Sequence, residues 1–113
     1  MVDILKKTKK GSEIAARFRD SELATTSICF YEILNGTDEE SVQDFFSSLS
    51  IFDFDKKSAR EASKILKDLS RKGSLIGEMD ILIGAICIAN DAKLITLDKD
   101  FKKVKGLDCE IID

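Results

Sequence analysis

From Ile81 to Ala89 the chain reads ILIGAICIA, without one charged side chain. A helix that is apolar on nearly every face has no side to show to water, so it must lie deep inside the fold. The run is well short of the ~20 residues that a membrane span requires. Its surroundings are therefore expected to be protein, and the polar residue that opens it, Asp80, is carried to the boundary of a core.

The 113 residues suit one compact domain with one core, and no stretch reads as a linker. Apolar residues make up 43% and charged residues 35%, with no proline, a soluble globular composition. The start, MVDILKKTKK, lacks the apolar region of a signal peptide, so a cytoplasmic protein is expected, with no membrane attachment. Cys29, Cys87 and Cys109 are odd in number and sit in apolar runs, which fits reduced core thiols better than a disulfide framework or a thiolate metal site.

Histidine is absent, which removes Ser/His/Asp and Cys/His catalysis and histidine-based zinc sites. No GxxxxGKS or GxGxxG run is present to cradle phosphates. With 18 basic against 21 acidic residues, the formal charge is −3, so any nucleic acid must be held by local patches. Three clusters qualify: Lys6, Lys7, Lys9 and Lys10; Arg71 with Lys72; and Lys99, Lys102, Lys103 and Lys105. As solvated surface they would need no function at all.

The pattern along the chain alternates strands and helices. Ser12 can cap a helix through Ile14, Ala15 and Phe18. Residues 23–27, LATTS, read as a strand, followed by a helix through Ile28, Tyr31 and Leu34 that Gly36 stops in the left-handed conformation. Thr37 and Glu40 form a capping-box pattern ahead of Val42, Phe45, Phe46 and Leu49 at helical spacing. SIFDF, residues 50–54, is the next strand. Asp55 then caps a helix through Ala59, Ala62, Ile65, Leu66 and Leu69, ended by Gly73. A buried helix from Asp80 to Asn90, a strand KLITL at 93–97 and an edge strand LDCEII at 107–112 complete the chain. Strands separated by helices imply parallel pairing with right-handed crossovers, hence a three-layer α/β fold, whose ligands gather beyond the carboxyl ends of the strands.

Glu32, Asp80, Asp98 and Asp100 lie where apolar segments begin or end. An unpaired buried carboxylate is costly, and one divalent ion can satisfy several at once. Asp80 has a plain alternative, since an acid in a first helical turn caps amides and complements the dipole. Asp98 and Asp100 compete for the inward position, Asp98 directly following its strand. Thr96, two residues earlier, shares the face of Asp98 or is an ordinary strand threonine.

YEILNG, then RKGSLIGEMDILIGAICIA, then KLITLDKDF, in this order and spacing, resemble a PIN domain of the VapC toxin type from Leu23 onward. The resemblance implies a nuclease that cuts RNA with Mg2+ or Mn2+, an antitoxin partner and a homodimer. It assigns Glu32, Asp80 and Asp98 as catalytic and metal-binding acids, with Asp100 as the alternate ligand. Such domains open with a strand ending in an aspartate followed by Thr or Ser, at the centre of a 3-2-1-4-5 sheet. MVDILKKTKKG instead looks like the helix after that strand, which makes this a PIN-like fold truncated at its N-terminus. With only two residues ahead of Asp3, no strand is expected before it, and Asp3 is a stand-in ligand or a solvated acid. The flanking strands LATTS and KLITL would then need another partner. The alternative function is a catalytically silent PIN-like module that binds an antitoxin or a second copy of itself.

Overall fold

In the computed structural model, which describes residues 2–5, 22–40, 43, 47 and 49–112, five strands pair in parallel. They are β1 (Val2–Leu5), β2 (Glu22–Thr26), β3 (Ser50–Phe52), β4 (Lys93–Thr96) and β5 (Cys109–Ile111), in the order β3-β2-β1-β4-β5. The helices are α1 (Ser27–Gly36), α2 (Lys56–Lys72) and α3 (Glu78–Ala89), with a 3-10 turn at Lys99–Lys103. The three-layer parallel architecture expected from the alternation is present.

The amino-terminal expectation is corrected. Val2–Leu5 is a strand, with Ile4 level with Ala24 of β2 and Leu94 of β4. The sheet leaves two rows of backbone hydrogen-bonding groups facing one central slot, and filling it satisfies both rows at once. That gain outweighs the helical reading of VDIL, whose valine and isoleucine suit a strand. LATTS and KLITL thus pair with β1 and need no outside partner. The helix expected after Ser12, the Lys6–Lys10 cluster and most of the helix from Val42 to Leu49 lie outside the described residues.

Helix boundaries follow local chemistry. Thr26 ends β2 and caps α1, its Oγ1 accepting from Cys29 N at 3.0 Å. Asp55 caps α2 as expected, its Oδ1 accepting from Ser58 N at 2.9 Å and Ser58 Oγ at 2.7 Å. At the other end Gly73 adopts φ 65°, while Ser74 N donates to Leu69 O and Gly73 N to Ser70 O, a Schellman closure. Gly36 differs from expectation. It is the last residue of α1 and not left-handed, and Thr37 is that helix's C-cap in extended backbone.

The apolar run becomes α3, which is packed on two sides. Ile83, Ile86 and Cys87 join Ala24, Cys29, Leu94 and Phe101 in one cluster, while Ile81 and Ala85 meet Ala62, Ile65 and Leu69 of α2 in the other. Cys29 and Cys87 are buried and Cys109 half-buried, without a disulfide, and burial drives the Cys87 thiol far up from its ordinary range. No helix among the described residues is long and apolar enough to cross a membrane.

Thr26→Ala removes the α1 cap and is expected to cost about 1 kcal/mol in urea unfolding, with Thr26→Ser close to wild type. The Ser58 hydrogen bonds hold Asp55, and the Lys72 hydrogen bond holds Asp68, below the ordinary value of 3.8. A depressed folded value stabilises above the unfolded value and is lost as pH falls. The melting temperature is therefore expected to be level from neutral pH down to about 5 and to drop through pH 4 and below. Asp55→Asn keeps a capping oxygen, so a shallower acid limb in that variant is the expected result.

Candidate metal and nuclease site

The carboxyl edge of the sheet is set by β1, β2 and β4, and the acids reach it from three elements. Helix α3 ends three residues before β4 starts, so it runs against the strands and its first turn lies at their carboxyl ends. Asp80 sits in that first turn. Gly77 is the N-cap residue, and Asp80 in the first turn complements the exposed amides and the dipole of that helix end. Three and seven residues after Asp80 come Ile83 and Cys87, both core residues, so Asp80 extends the core-facing stripe of α3 to the edge. It is half-buried, and a Cβ at Gly77 would lie 3.7 Å from its Oδ2.

Glu32 lies on α1 three residues after Cys29 and four after Ile28, the face turned to the core. Its Oε1 is buried without a hydrogen-bond partner among the described residues. An orphaned carboxylate oxygen is expensive, and a cation is the partner that would most fully offset its charge. This oxygen is what the donor chemistry of a hard divalent ion would use.

Asp98 is half-buried just past β4. Thr96 is buried, and its Oγ1 accepts from Asp98 N at 3.1 Å. Asp98 Oδ1 in turn accepts from Asp100 N at 2.9 Å. Asp100 is exposed and pairs with Lys103 at 3.4 Å. Burial separates the two acids that the sequence left in competition: Asp98 belongs to the edge, Asp100 to the outer turn. Thr96 holds the backbone from which Asp98 projects, a role its spacing hinted at.

Asp3 does not join them. It is level with Lys93 at the start of β4, three residues short of Thr96, which places it about 10 Å below the edge along the strands. That register sets its backbone away from the edge, and the last residue of β1 is Leu5, not an acid. Among the described residues, no three acidic or thiol side chains come close enough together to hold a metal ion. The donors fit a divalent ion in kind, with one orphaned oxygen waiting, but they do not form a closed cage.

This fold and this set of edge acids define the class: the chain belongs to the PIN domain family, whose model matches residues 1–107. Among its relatives is the ribonuclease VapC2 of Haemophilus influenzae, 30% identical over 113 residues that span 90% of this chain and 86% of the relative. The crystal structure of VapBC2 from Rickettsia felis, bound to a DNA fragment from its promoter, superposes with a TM-score of 0.82 at 26% identity and covers all of both chains. VapBC-1 from nontypeable Haemophilus influenzae gives 0.85 over 98% of each chain at 18% identity, a likeness of fold alone.

Glu32→Gln replaces a buried charged orphan with a neutral group. It is expected to raise the melting temperature in EDTA relative to wild type and to abolish any rise on adding Mn2+. Differential scanning in both conditions checks this, and a variant less stable in EDTA with an intact Mn2+ response would contradict it.

Proposed function

We propose that this protein is a metal-dependent endoribonuclease of the VapC toxin type, hydrolysing RNA phosphodiester bonds at the carboxyl edge of its sheet. The observation that carries this reading is the Oε1 of Glu32, buried and without a partner among the described residues, in a member of the PIN family. Mg2+ or Mn2+, when bound, supplies Lewis acidity and an activated water for in-line attack at phosphorus. Glu32 offers the desolvated oxygen, and Asp80 adds charge at the first turn of α3. Asp98, steadied by Thr96, completes the ligand set, while Asp100 and Lys103 fix the turn behind it. An antitoxin of the VapB kind, self-association as a homodimer and a cytoplasmic setting accompany this reading.

A second reading has its own support. The missing acid at the end of β1 and the open arrangement of the others favour a silent module that binds an antitoxin or a second copy. The groove of about 400 Å3 between α2 and α3, walled by Leu66, Leu75, Ile81 and Leu82, is apolar enough for such a partner.

RNA cleavage by the purified chain is expected to require Mn2+ or Mg2+ and to stop in excess EDTA. Asp80→Asn should lower the rate at least about 100-fold while leaving the fold, because asparagine keeps an oxygen for the amides of the first turn but loses the charge. Cleavage that persists in EDTA sinks the metal mechanism. A wild-type chain that binds its antitoxin but cuts no RNA at any Mn2+ concentration favours the silent module.

A further inference from the structure

Two of the basic clusters in the sequence, one at Arg71 and one ending at Lys105, meet in the folded chain. They face each other across an open cleft of about 310 Å3 bounded by α2, by Ile88 near the end of α3, and by the turn at Lys105 and Gly106. Glu61, Lys64 and Asp68 line the same cleft. Both acids are already engaged, Glu61 by Lys64 at 3.4 Å and Asp68 by Lys72 at 2.9 Å. Among the described residues Arg71 and Lys105 make no ion pair, and their charges reach Asp68 only through space. A protein of formal charge −3 thus concentrates uncompensated positive charge here.

The helix dipole accounts for Arg71 and Lys72, which lie in the last turn of α2. It does not account for Lys105, which comes from a separate turn. Gly106 adds backbone with no atom within 4 Å of the place a Cβ would occupy, so a ligand can approach the main chain closely. Arginine presents a planar fork that matches phosphate oxygens two at a time. Five of the lining side chains are charged and none is aromatic, with Ile65 and Ile88 as the apolar residues, which suits a phosphate backbone better than the aromatic anchors of a protein interface.

We infer that this cleft is a phosphate-binding exosite that grips the backbone of an RNA substrate away from the bond to be cut. Resting on the ribonuclease reading, it specifies the substrate: the cleft runs along α2 from Arg71 back to Glu61, about 15 Å, and reaches Ile88, about 12 Å along α3 from Asp80, so only an RNA longer than a few nucleotides engages its whole length and the edge acids together. Short oligonucleotides reach the edge acids alone.

The test is RNA binding by fluorescence anisotropy in EDTA, which needs no cleavage. Arg71→Gln/Lys105→Gln is expected to bind a long stem-loop RNA about 10-fold more weakly, and its slope of log affinity against log salt should flatten by roughly 1.4 for two lost phosphate contacts. Binding of a tetranucleotide should not change, and Lys56→Gln, an exposed cation at the opposite end of α2 from Arg71, should affect neither RNA. Lys105→Gln alone leaves every helix intact and should give about half the slope change. An unchanged stem-loop affinity and slope, or equal losses for both RNAs, overturns the exosite. So does displacement of the stem-loop by polyglutamate as readily as by polyuridylate, which would mark a protein partner, or by inorganic phosphate at low concentration, which would mark a small-anion site. If the exosite variants weaken RNA binding as stated while wild type cuts nothing with Mn2+, the exosite stands and the nuclease reading falls.

Discussion

Everything at the candidate site depends on α3 being held from both sides. One face is fixed by the sheet and α1 through Ile83, Ile86 and Cys87, the other by α2 through Ile81 and Ala85. Each buried isoleucine contributes on the order of 2 kcal/mol, and together they leave the helix no freedom to roll. Its first turn is consequently a rigid platform at the carboxyl edge, and Asp80 is carried on it. A carboxylate on a loop in the same place would have to be ordered at the moment of binding, at a cost in entropy that α3 has already met on folding.

The central strand shapes the site in a less favourable way. Val2–Leu5 pairs with β2 on one side and β4 on the other and so completes two rows of hydrogen bonds. Yet it delivers its acid, Asp3, near the wrong end of the strand. Fold and chemistry are thereby uncoupled: pairing demands only a strand of the right length and β character, whereas a metal cage demands a carboxylate at one register position. The chain meets the first demand and leaves Glu32 with an oxygen that nothing among the described residues satisfies.

Most helices and strands after residue 22 were legible because their signals are local. Asp55 and Gly73 bracket α2 by cap chemistry, and the unbroken apolar run marks α3. The first strand was not legible, because VDIL is too short for periodicity to decide and its state is set by a slot between β2 and β4 that exists only in the folded sheet. Gly36 misled for the opposite reason: a glycine at a helix end suits a left-handed turn, but the backbone here leaves the helix extended at Thr37. Among the acids, the sequence pointed to Glu32, Asp80 and Asp98 and favoured Asp98 over Asp100 by its place directly after the strand, whereas the pairing of Asp100 with Lys103 in the outer turn is visible only in the fold. Nor could the sequence join Arg71 to Lys105, which are neighbours through packing alone.

The central proposal is that the orphaned oxygen of Glu32, with Asp80 or Asp98, takes a divalent ion at the carboxyl edge. Anomalous diffraction at the manganese edge from crystals grown with Mn2+ tests it most directly. The account predicts a peak at the carboxyl edge of the sheet within coordination distance of Glu32 Oε1, shared with Asp80 or Asp98 and absent in Glu32→Gln. An empty edge at saturating Mn2+, or an ion held only by surface acids such as Asp53 or Asp108, would contradict it.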